Sequence, residues 1–272
     1  MDSRIAGALG LKYNPVAILW SDEKPGDAGQ FMPGKWGCVM AALGATASRG
    51  RVQAFDRQTY GCWGGGVGLG FGNAYLEFPG GLEGFYRFLS NGNARCETGR
   101  AVAERCAGWM RGRMLEEFLH GEGYLKNPEL TEAFVQALPI TDVPSRYVVF
   151  KPLSALSGEE EPRVVVFFVD PDQLSAMVVL ASYGQGRPDA TIIPWGAGCQ
   201  TVGIFAYREA ASERPRAVVG LTDLSARNYL RRLGKDLMTV ALPYNLFRKM
   251  EEDVPGSFLD RESWKSLRNT DE

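Results

Sequence analysis

The sequence predicts a mixed α/β or α+β fold in which a mixed sheet is flanked by helices. Short apolar runs rich in valine, the clearest at residues 163–169, are typical of buried strands. Segments with apolar residues three or four positions apart, typical of amphipathic helices, alternate with these runs. The chain has 272 residues, of which 45% are hydrophobic and 23% charged, which suits one globular unit over residues 1–272.

The N-terminal elements follow from apolar periodicity and from residues that begin or end helices. Gly50 favours the end of a helix, because glycine readily adopts the left-handed conformation of a C-cap. Pro128 suits the first turn of a helix, where its missing N–H has no intrahelical partner to lose. In chain order we expect a helix at 4–12, a strand at 16–20, a helix at 38–48, a strand at 52–55, helices at 82–89, 105–119 and 128–138, and a strand at 147–150.

The C-terminal elements begin after a loop at 154–162 that is rich in serine, glycine and glutamate. Asp170 can cap a helix whose first residue is Pro171. We expect a strand at 163–169, that helix over 174–182, strands at 217–221 and 238–242, and a helix at 244–251. In both parts an apolar strand precedes a glycine–cysteine pair and a later short strand, which suggests two pseudo-duplicated halves, 1–155 and 160–255.

Composition excludes several classes of protein. The formal net charge is −2, and no basic stripe points to nucleic acid. The apolar runs are too short to span a membrane, and the N-terminus does not resemble a signal peptide, so we expect a cytoplasmic protein without membrane partners. Five cysteines in a chain of this length are not a disulfide framework. The single histidine, His120, excludes histidine-rich metal sites.

The chain is most unusual around Cys62. Seven of the twelve residues from Gly61 to Gly72 are glycine, which favours a loop whose backbone turns sharply or approaches a ligand closely. Cys38 and Cys199 also follow glycines, and Cys38 lies beside Trp36 as Cys62 lies beside Trp63. Three such cysteines from distant parts of the chain predict a shared metal or iron–sulfur site.

The spacing of these cysteines favours an iron–sulfur cluster over zinc. A structural zinc site uses four ligands, usually in close pairs, and the chain has no C-x-x-C pair. Ferredoxin spacing is absent as well, so three single cysteines suggest a four-iron cluster with one iron left open. The cofactor-binding residues predicted around it, which supply backbone amides or shield the cluster, are Trp36, Gly61, Trp63, Gly64 and Gly65.

Other interpretations of these residues stay open. The cysteines can be small buried hydrophobic residues, which is what we expect of Cys96 and Cys106. Cys62 or Cys199 can be a nucleophile whose pKa is lowered by free amides. The glycine loop can be an anion-binding nest in a metal-free protein that binds a small molecule. It contains no dinucleotide or P-loop motif. The sequence assigns no catalytic residue and no oligomeric state.

A second group of residues predicts where a small anionic substrate would bind. Asp223 and Arg227 follow a predicted strand, and ligands of α/β folds usually lie beyond the carboxyl ends of strands. Arg57 adds a cationic group near the cysteine loops. The alternative for Asp223 is that it only caps the next helix.

These motifs together resemble a known family, the domain-of-unknown-function family 169, or archaeal conserved region family. The resemblance spans roughly residues 5–250 and carries no settled activity. The family's occurrence in anaerobic bacteria and archaea implies compatibility with an oxygen-sensitive cluster. The segments that carry the resemblance are 14–17, Gly37 with Cys38 and the small residues after it, 60–65, 198–201 and 223–227.

Overall fold

In the computed structural model, which describes residues 1–268, the chain forms helices around one mixed sheet. Residues 269–272, the end of the predicted 1–272 unit, lie outside the described residues. The strands are β1 (Val16–Ser21), β2 (Gln53–Phe55), β3 (Tyr147–Pro152), β4 (Val164–Val169), β5 (Thr191–Ile192), β6 (Ala217–Gly220) and β7 (Met238–Pro243). The helices are α1 (Arg4–Leu9), α2 (Val39–Arg49), α3 (Trp63–Leu69), α4 (Gly81–Leu89), α5 (Glu97–Cys106), α6 (Arg113–His120), α7 (Pro128–Ala137), α8 (Pro171–Tyr183), α9 (Gly198–Val202), α10 (Ile204–Ala210), α11 (Leu224–Leu230), α12 (Tyr244–Asp253) and α13 (Glu262–Arg268).

The predicted mixed sheet with flanking helices is confirmed. Within the described residues, seven strands lie in the order β2-β3-β1-β4-β7-β6-β5. Neighbouring strands run antiparallel except β5 and β6, which are parallel. The central strand β4 is buried along its whole length, which explains its unbroken apolar sequence.

Helices cover both faces of this sheet. One face presents alternate residues of β4, Val165, Phe167 and Val169, to a core cluster that includes apolar residues of α8 and α12. Helices α2 and α9 pack against β1–β3 and β6–β7 on the other face. All three cysteines of the predicted site therefore belong to the layer of helices on one side of the sheet.

The chain divides into two compact units. One comprises Met1–Gly72 together with the described residues from Thr141 onward, and it contains the whole sheet. The other is Asn73–Ile140, a helical unit whose interior includes Phe78, Phe85 and Phe118. The predicted halves, 1–155 and 160–255, follow a different division, and a duplication stays a prediction.

Two predicted elements differ from the structure. The expected helix over 105–119 is instead the end of α5 and the whole of α6, separated by the non-helical residues 107–112. This segment contains Gly108 and Gly112, and Gly112 has a positive φ of 54°, which a helix does not allow. The glycine run is a helix, α3, and not a loop. Every described helix is too short or too polar to cross a lipid bilayer.

The start of α8 has the predicted cap. The Asp170 carboxylate accepts a hydrogen bond from the Gln173 amide at 2.8 Å, and the Gln173 side chain accepts one from the Asp170 amide at 2.9 Å. Arg268 adds an ion pair to Asp170 at 3.1 Å. This reciprocal capping box satisfies amides that the first turn of a helix leaves unpaired.

Replacing Asp170 with alanine tests that cap. We expect a loss of about 1 kcal/mol in the free energy of unfolding, because the cap hydrogen bond and its reciprocal geometry are removed. Urea denaturation measures this quantity. The matched control is Asp172→Ala in the same first turn, which removes an equal charge without removing the cap. Equal losses in both variants would mean that charge, and not capping, stabilises this helix.

A thiol and carboxylate cluster at four helix starts

Three cysteines and one aspartate lie at the starts of four different helices. Cys38 is the N-cap of α2, Cys62 is the N-cap of α3, and Cys199 is the second residue of α9. Asp223 is the N-cap of α11. Because the first amides of a helix have no intrahelical acceptor, each side chain lies beside unpaired N–H groups.

The amides of α3 face the Cys62 sulfur, as the sequence predicted. The Gly65 amide donates to the Cys62 Sγ atom at 3.3 Å. The sharp turn expected of the glycine run does not fall at Gly64, Gly65 or Gly66, because these residues are helical and none of them has a positive φ. The left-handed glycines lie outside the helix, among them Gly61, whose φ is 83°.

Glycines let the backbones of α3 and α9 touch. A Cβ atom on Gly68 would lie 2.6 Å from the carbonyl carbon of Cys199, and one on Gly203 would collide with the Gly68 carbonyl oxygen. At this separation the Cys199 thiol donates to the Gly64 carbonyl at 3.0 Å. The contact therefore brings Cys199 to the helix that begins at Cys62. The sequence prediction did not single out Gly68 or Gly203.

Asp223 caps two helices with one carboxylate. One oxygen accepts from the Ala226 amide of α11 at 2.6 Å, and the other accepts from the amide of Gly198, the first residue of α9. The capping role that the sequence left open is thus present. It ties α11 to the helix that carries Cys199. A Cβ atom on Gly198 would lie 3.3 Å from the same carboxylate, so this position has little room for a side chain.

The backbone before Asp223 is strained. Leu221 has a φ of 61°, the sole left-handed conformation of a non-glycine residue within residues 1–268. Such a conformation costs on the order of 1–3 kcal/mol and persists where the surroundings hold it. Here Leu221 is buried, and the Thr222 hydroxyl donates to the Pro194 carbonyl at 3.1 Å. These contacts position Asp223, shortly after the end of β6, to cap both helices.

The acidic groups of this cluster have raised pKa values. Burial, the largest cause, and the charges of Cys38 and Asp223 together raise the pKa of Cys62 to about 11, against the opposing amides of Gly65 and Gly64. Burial also raises the pKa of Cys199 well above its ordinary value, and the same charges, with that of Cys62, add to the effect.

The pKa values of Cys38 and Asp223 are raised as well. Burial raises the pKa of Cys38 despite the opposing effect of the Ala41 and Met40 amides of α2, and the charge of Asp223 adds to the rise. Burial raises the pKa of Asp223 against three amide hydrogen bonds. The structure thus brings Cys38, Cys62, Cys199 and Asp223 into one electrostatic neighbourhood, hereafter the thiol cluster, in which the thiols are protonated at neutral pH. Their role as ligands stays a prediction.

Aromatic residues border the thiol cluster. Trp36, predicted to shield a cofactor, is 51% exposed, and its ring lies 5.6 Å from the ring of Tyr229. Trp63 is half-buried at the start of α3. The ring of Phe31 packs on Gly61, where an added Cβ atom would approach it to 2.8 Å. Gly61 therefore serves close packing in addition to any contact with a cofactor.

The two predicted substrate-binding arginines already have protein partners. Arg57 forms an ion pair with Asp142 at 2.7 Å and donates to the Val143 carbonyl at 2.9 Å. Arg227 donates to the Lys235 carbonyl at 2.8 Å and to the Met238 sulfur at 3.1 Å. Both guanidinium groups hold loops in place, and their role in substrate binding stays a prediction.

The donor set suits a thiophilic cation in its chemistry, with three sulfurs, one carboxylate and amides directed at sulfur. Within residues 1–268, however, no group of three or more histidine, cysteine, aspartate or glutamate side chains is arranged to hold a metal ion. A single ion needs its sulfurs within about 4 Å of each other, whereas a four-iron cluster takes them about 6–7 Å apart, given metal–sulfur bonds of roughly 2.3 Å. The absence of such a group from residues 1–268 therefore argues against a site for a single metal ion.

Fold and site together define a mixed α/β protein with a partly buried thiol cluster at the starts of four helices. The chain belongs to the family described as Uncharacterised ArCR, COG2043 (DUF169), whose family model matches residues 4–253. The resemblance expected from the sequence motifs is thus confirmed. No curated protein and no solved structure matches the chain.

Replacing Gly68 with alanine tests the contact between α3 and α9. We expect a loss of about 1–3 kcal/mol in the free energy of unfolding, because the new methyl group has to push the α9 backbone away. The control is Gly7→Ala in α1, where an added Cβ atom meets nothing within 4 Å and stability should rise by roughly 0.5–1 kcal/mol. Unchanged stability of Gly68→Ala would contradict this close contact.

Alkylation rates test the electrostatics of the thiols. A hydrogen bond with the Thr98 hydroxyl, together with the nearby Gly99 amide, lowers the pKa of Cys96, whereas the pKa values of the cluster thiols are raised. Since the thiolate is the nucleophile, limiting iodoacetamide at neutral pH should modify Cys96 first in reduced, chelator-treated protein. Peptide mass spectrometry gives the order, and faster labelling of Cys62 or Cys199 would contradict it.

Proposed function

We propose that this protein binds an iron–sulfur cluster through Cys38, Cys62 and Cys199. The observation that carries the proposal is the thiol cluster, in which four acidic groups from distant segments lie in one electrostatic neighbourhood, with Cys199 buried and the other three half-buried. Burying like-charged ligands costs free energy that a bound cation offsets, since metal binding displaces their protons.

The surroundings of the sulfurs support a cluster in particular. Backbone amides lower the pKa of both Cys38 and Cys62 against the effect of burial, so they stabilise the thiolate forms. Hydrogen bonds to sulfur are also the means by which proteins tune cluster potentials. The Gly65 amide already occupies such a position, 3.3 Å from Cys62. A four-iron cluster with three cysteine ligands supplies one open iron, a Lewis-acid position.

The rest of the site limits what a substrate would contact. Asp223 lies within the thiol cluster, but both its carboxylate oxygens accept amide hydrogen bonds. Arg57 and Arg227 are engaged with protein acceptors. An enzymatic role on a small anionic substrate therefore rests on the open iron and has less support than cluster binding. Five free cysteines favour a reducing compartment, so a cytoplasmic location is part of the proposal.

A second function has a specific observation in its favour. The Cys199 thiol donates to the Gly64 carbonyl, and Cys62 accepts from the Gly65 amide, so both thiols have partners without a metal. In this alternative the cysteines are structural and the protein binds a small molecule or anion without metal. Loss of fold on removal of the thiols would be its signature.

Serine substitution separates the two functions. Protein purified without oxygen should contain iron and acid-labile sulfide and absorb at about 400 nm. Cys38→Ser, Cys62→Ser and Cys199→Ser should each lose most of that iron while circular dichroism shows the fold retained. Retention of the fold is expected at Cys199 because a serine hydroxyl can also donate to the Gly64 carbonyl.

The matched controls are Cys96→Ser and Cys106→Ser, in the separate helical unit. Both should keep the wild-type iron content. Iron lost from a control would mean that the wrong three cysteines are assigned. A wild-type protein without iron, whose cysteine variants are unstable, would favour the metal-free alternative.

A further inference from the structure

Four arginines line a cavity of about 280 Å³ in the unit that contains the sheet. It lies where the chain enters β5 and β6, beside the last turn of α10. Four guanidinium groups face two carboxylates, so the lining has two positive charges in excess. The lining residues are Arg187, Asp189, Arg208, Glu209, Ser212, Arg214 and Arg216.

Glu209 holds one side of this cavity in place. Its side chain is 3% exposed and accepts two hydrogen bonds from the Arg216 guanidinium, at 2.9 and 2.7 Å. Burial raises the pKa of Glu209, but the interactions with Arg216 outweigh burial and lower it, so the carboxylate is ionised at neutral pH. This bidentate pair orients Arg216 and uses most of the acceptor capacity of Glu209.

Arg187 is buried without adequate partners. Its side chain is 9% exposed, and its Nε atom has no hydrogen-bond partner. The nearest acid, Asp189, is 3.4 Å away and 70% exposed. The contacts of Nη2 with the carbonyls of Asp189 and Arg214 are long, at 3.5 and 3.3 Å. A buried guanidinium with such weak partners is costly unless a further acceptor binds it.

Among the described residues, Arg214 and Arg208 also have N–H groups without strong hydrogen-bond acceptors. Within the part of the chain that the structure describes, the Arg214 guanidinium has no ion pair or hydrogen bond, although the backbone of this residue is engaged. Arg208 lies 3.4 Å from Glu209 and 5.3 Å from the ring centroid of Phe205. The acceptors that this lining lacks are therefore the ones an anionic ligand would supply.

We propose that Arg187, Arg208, Arg214 and Arg216, hereafter the arginine pocket, bind the phosphoryl group of a small ligand. The guanidinium fork matches phosphate oxygens in pairs. A phosphate carries about −1.5 to −2 charges at pH 7, which balances the excess of the lining. The volume lies just below the roughly 300–1,000 Å³ of sites for larger organic ligands.

This site is separate from the thiol cluster and independent of the proposed function. Arg216 immediately precedes β6, whereas Asp223 follows its end at Gly220. The two sites thus lie at opposite ends of the same strand. Loss of phosphate binding would leave the iron content unaffected, so either proposal can fail without the other.

Calorimetric titration with inorganic phosphate tests the arginine pocket. Chloride keeps the ionic strength constant, and malonate serves as a dicarboxylate of comparable charge. We expect Arg187→Gln and Arg214→Gln to weaken phosphate binding roughly ten- to hundredfold each, the range for a lost hydrogen bond to a charged group. Arg214→Gln removes no internal contact of the guanidinium, so it retains the fold if Arg187→Gln does not.

The matched control is Arg49→Gln, which removes the same charge from the exposed end of α2. Wild-type affinity in this control, with weak binding in the two pocket variants, supports the proposal. Absence of phosphate binding by the wild type, unchanged binding in both pocket variants, or equal weakening in Arg49→Gln overturns it. Malonate binding as tight as phosphate binding overturns the assignment to a phosphoryl group.

Discussion

The candidate site depends on the direct backbone contact between α3 and α9. No side chain fits between Gly68 and the Cys199 carbonyl group, and none fits between Gly203 and Gly68. This contact holds Cys199 beside the first turn of α3, where Cys62 lies. The Asp223 carboxylate then fixes the start of α9 from the other side by accepting the Gly198 amide. Separation of the two helices would disperse the thiols and remove one partner of the carboxylate.

Burial gives the thiol cluster its chemical character. Three thiols and a carboxylate with raised pKa values are stable together only while most of them are protonated. For the thiols, a folded-state pKa above the unfolded value means that stability is complete at lower pH and decreases as the pH rises past the unfolded pKa. A cation that replaces the thiol protons removes this cost. The same arrangement thus supports the proposal that a thiophilic metal binds here.

The sequence was sufficient for elements whose signals are local. The valine run of β4 and the Asp170 cap of α8 depend on residues within a few positions, and both were predicted correctly. Helix α3 was missed because each glycine disfavours a helix by about 1 kcal/mol relative to alanine, and the packing that compensates for this, including the contact with α9, is not visible in the sequence. The arginine pocket was missed because its residues come from two segments, 187–189 and 208–216, that only the fold brings together.

The three cysteines were singled out in the sequence by their glycine neighbours. The double-capping role of Asp223 could not be predicted, because it requires α9 and α11 to lie side by side and no local pattern shows this. In the proposed function, Cys38, Cys62 and Cys199 bind one cofactor. X-ray absorption at the iron edge of protein reconstituted without oxygen tests this binding most directly. We expect a first shell dominated by sulfur at roughly 2.3 Å, with iron neighbours beyond it. A first shell of only oxygen and nitrogen, or protein that takes up no iron, would contradict it.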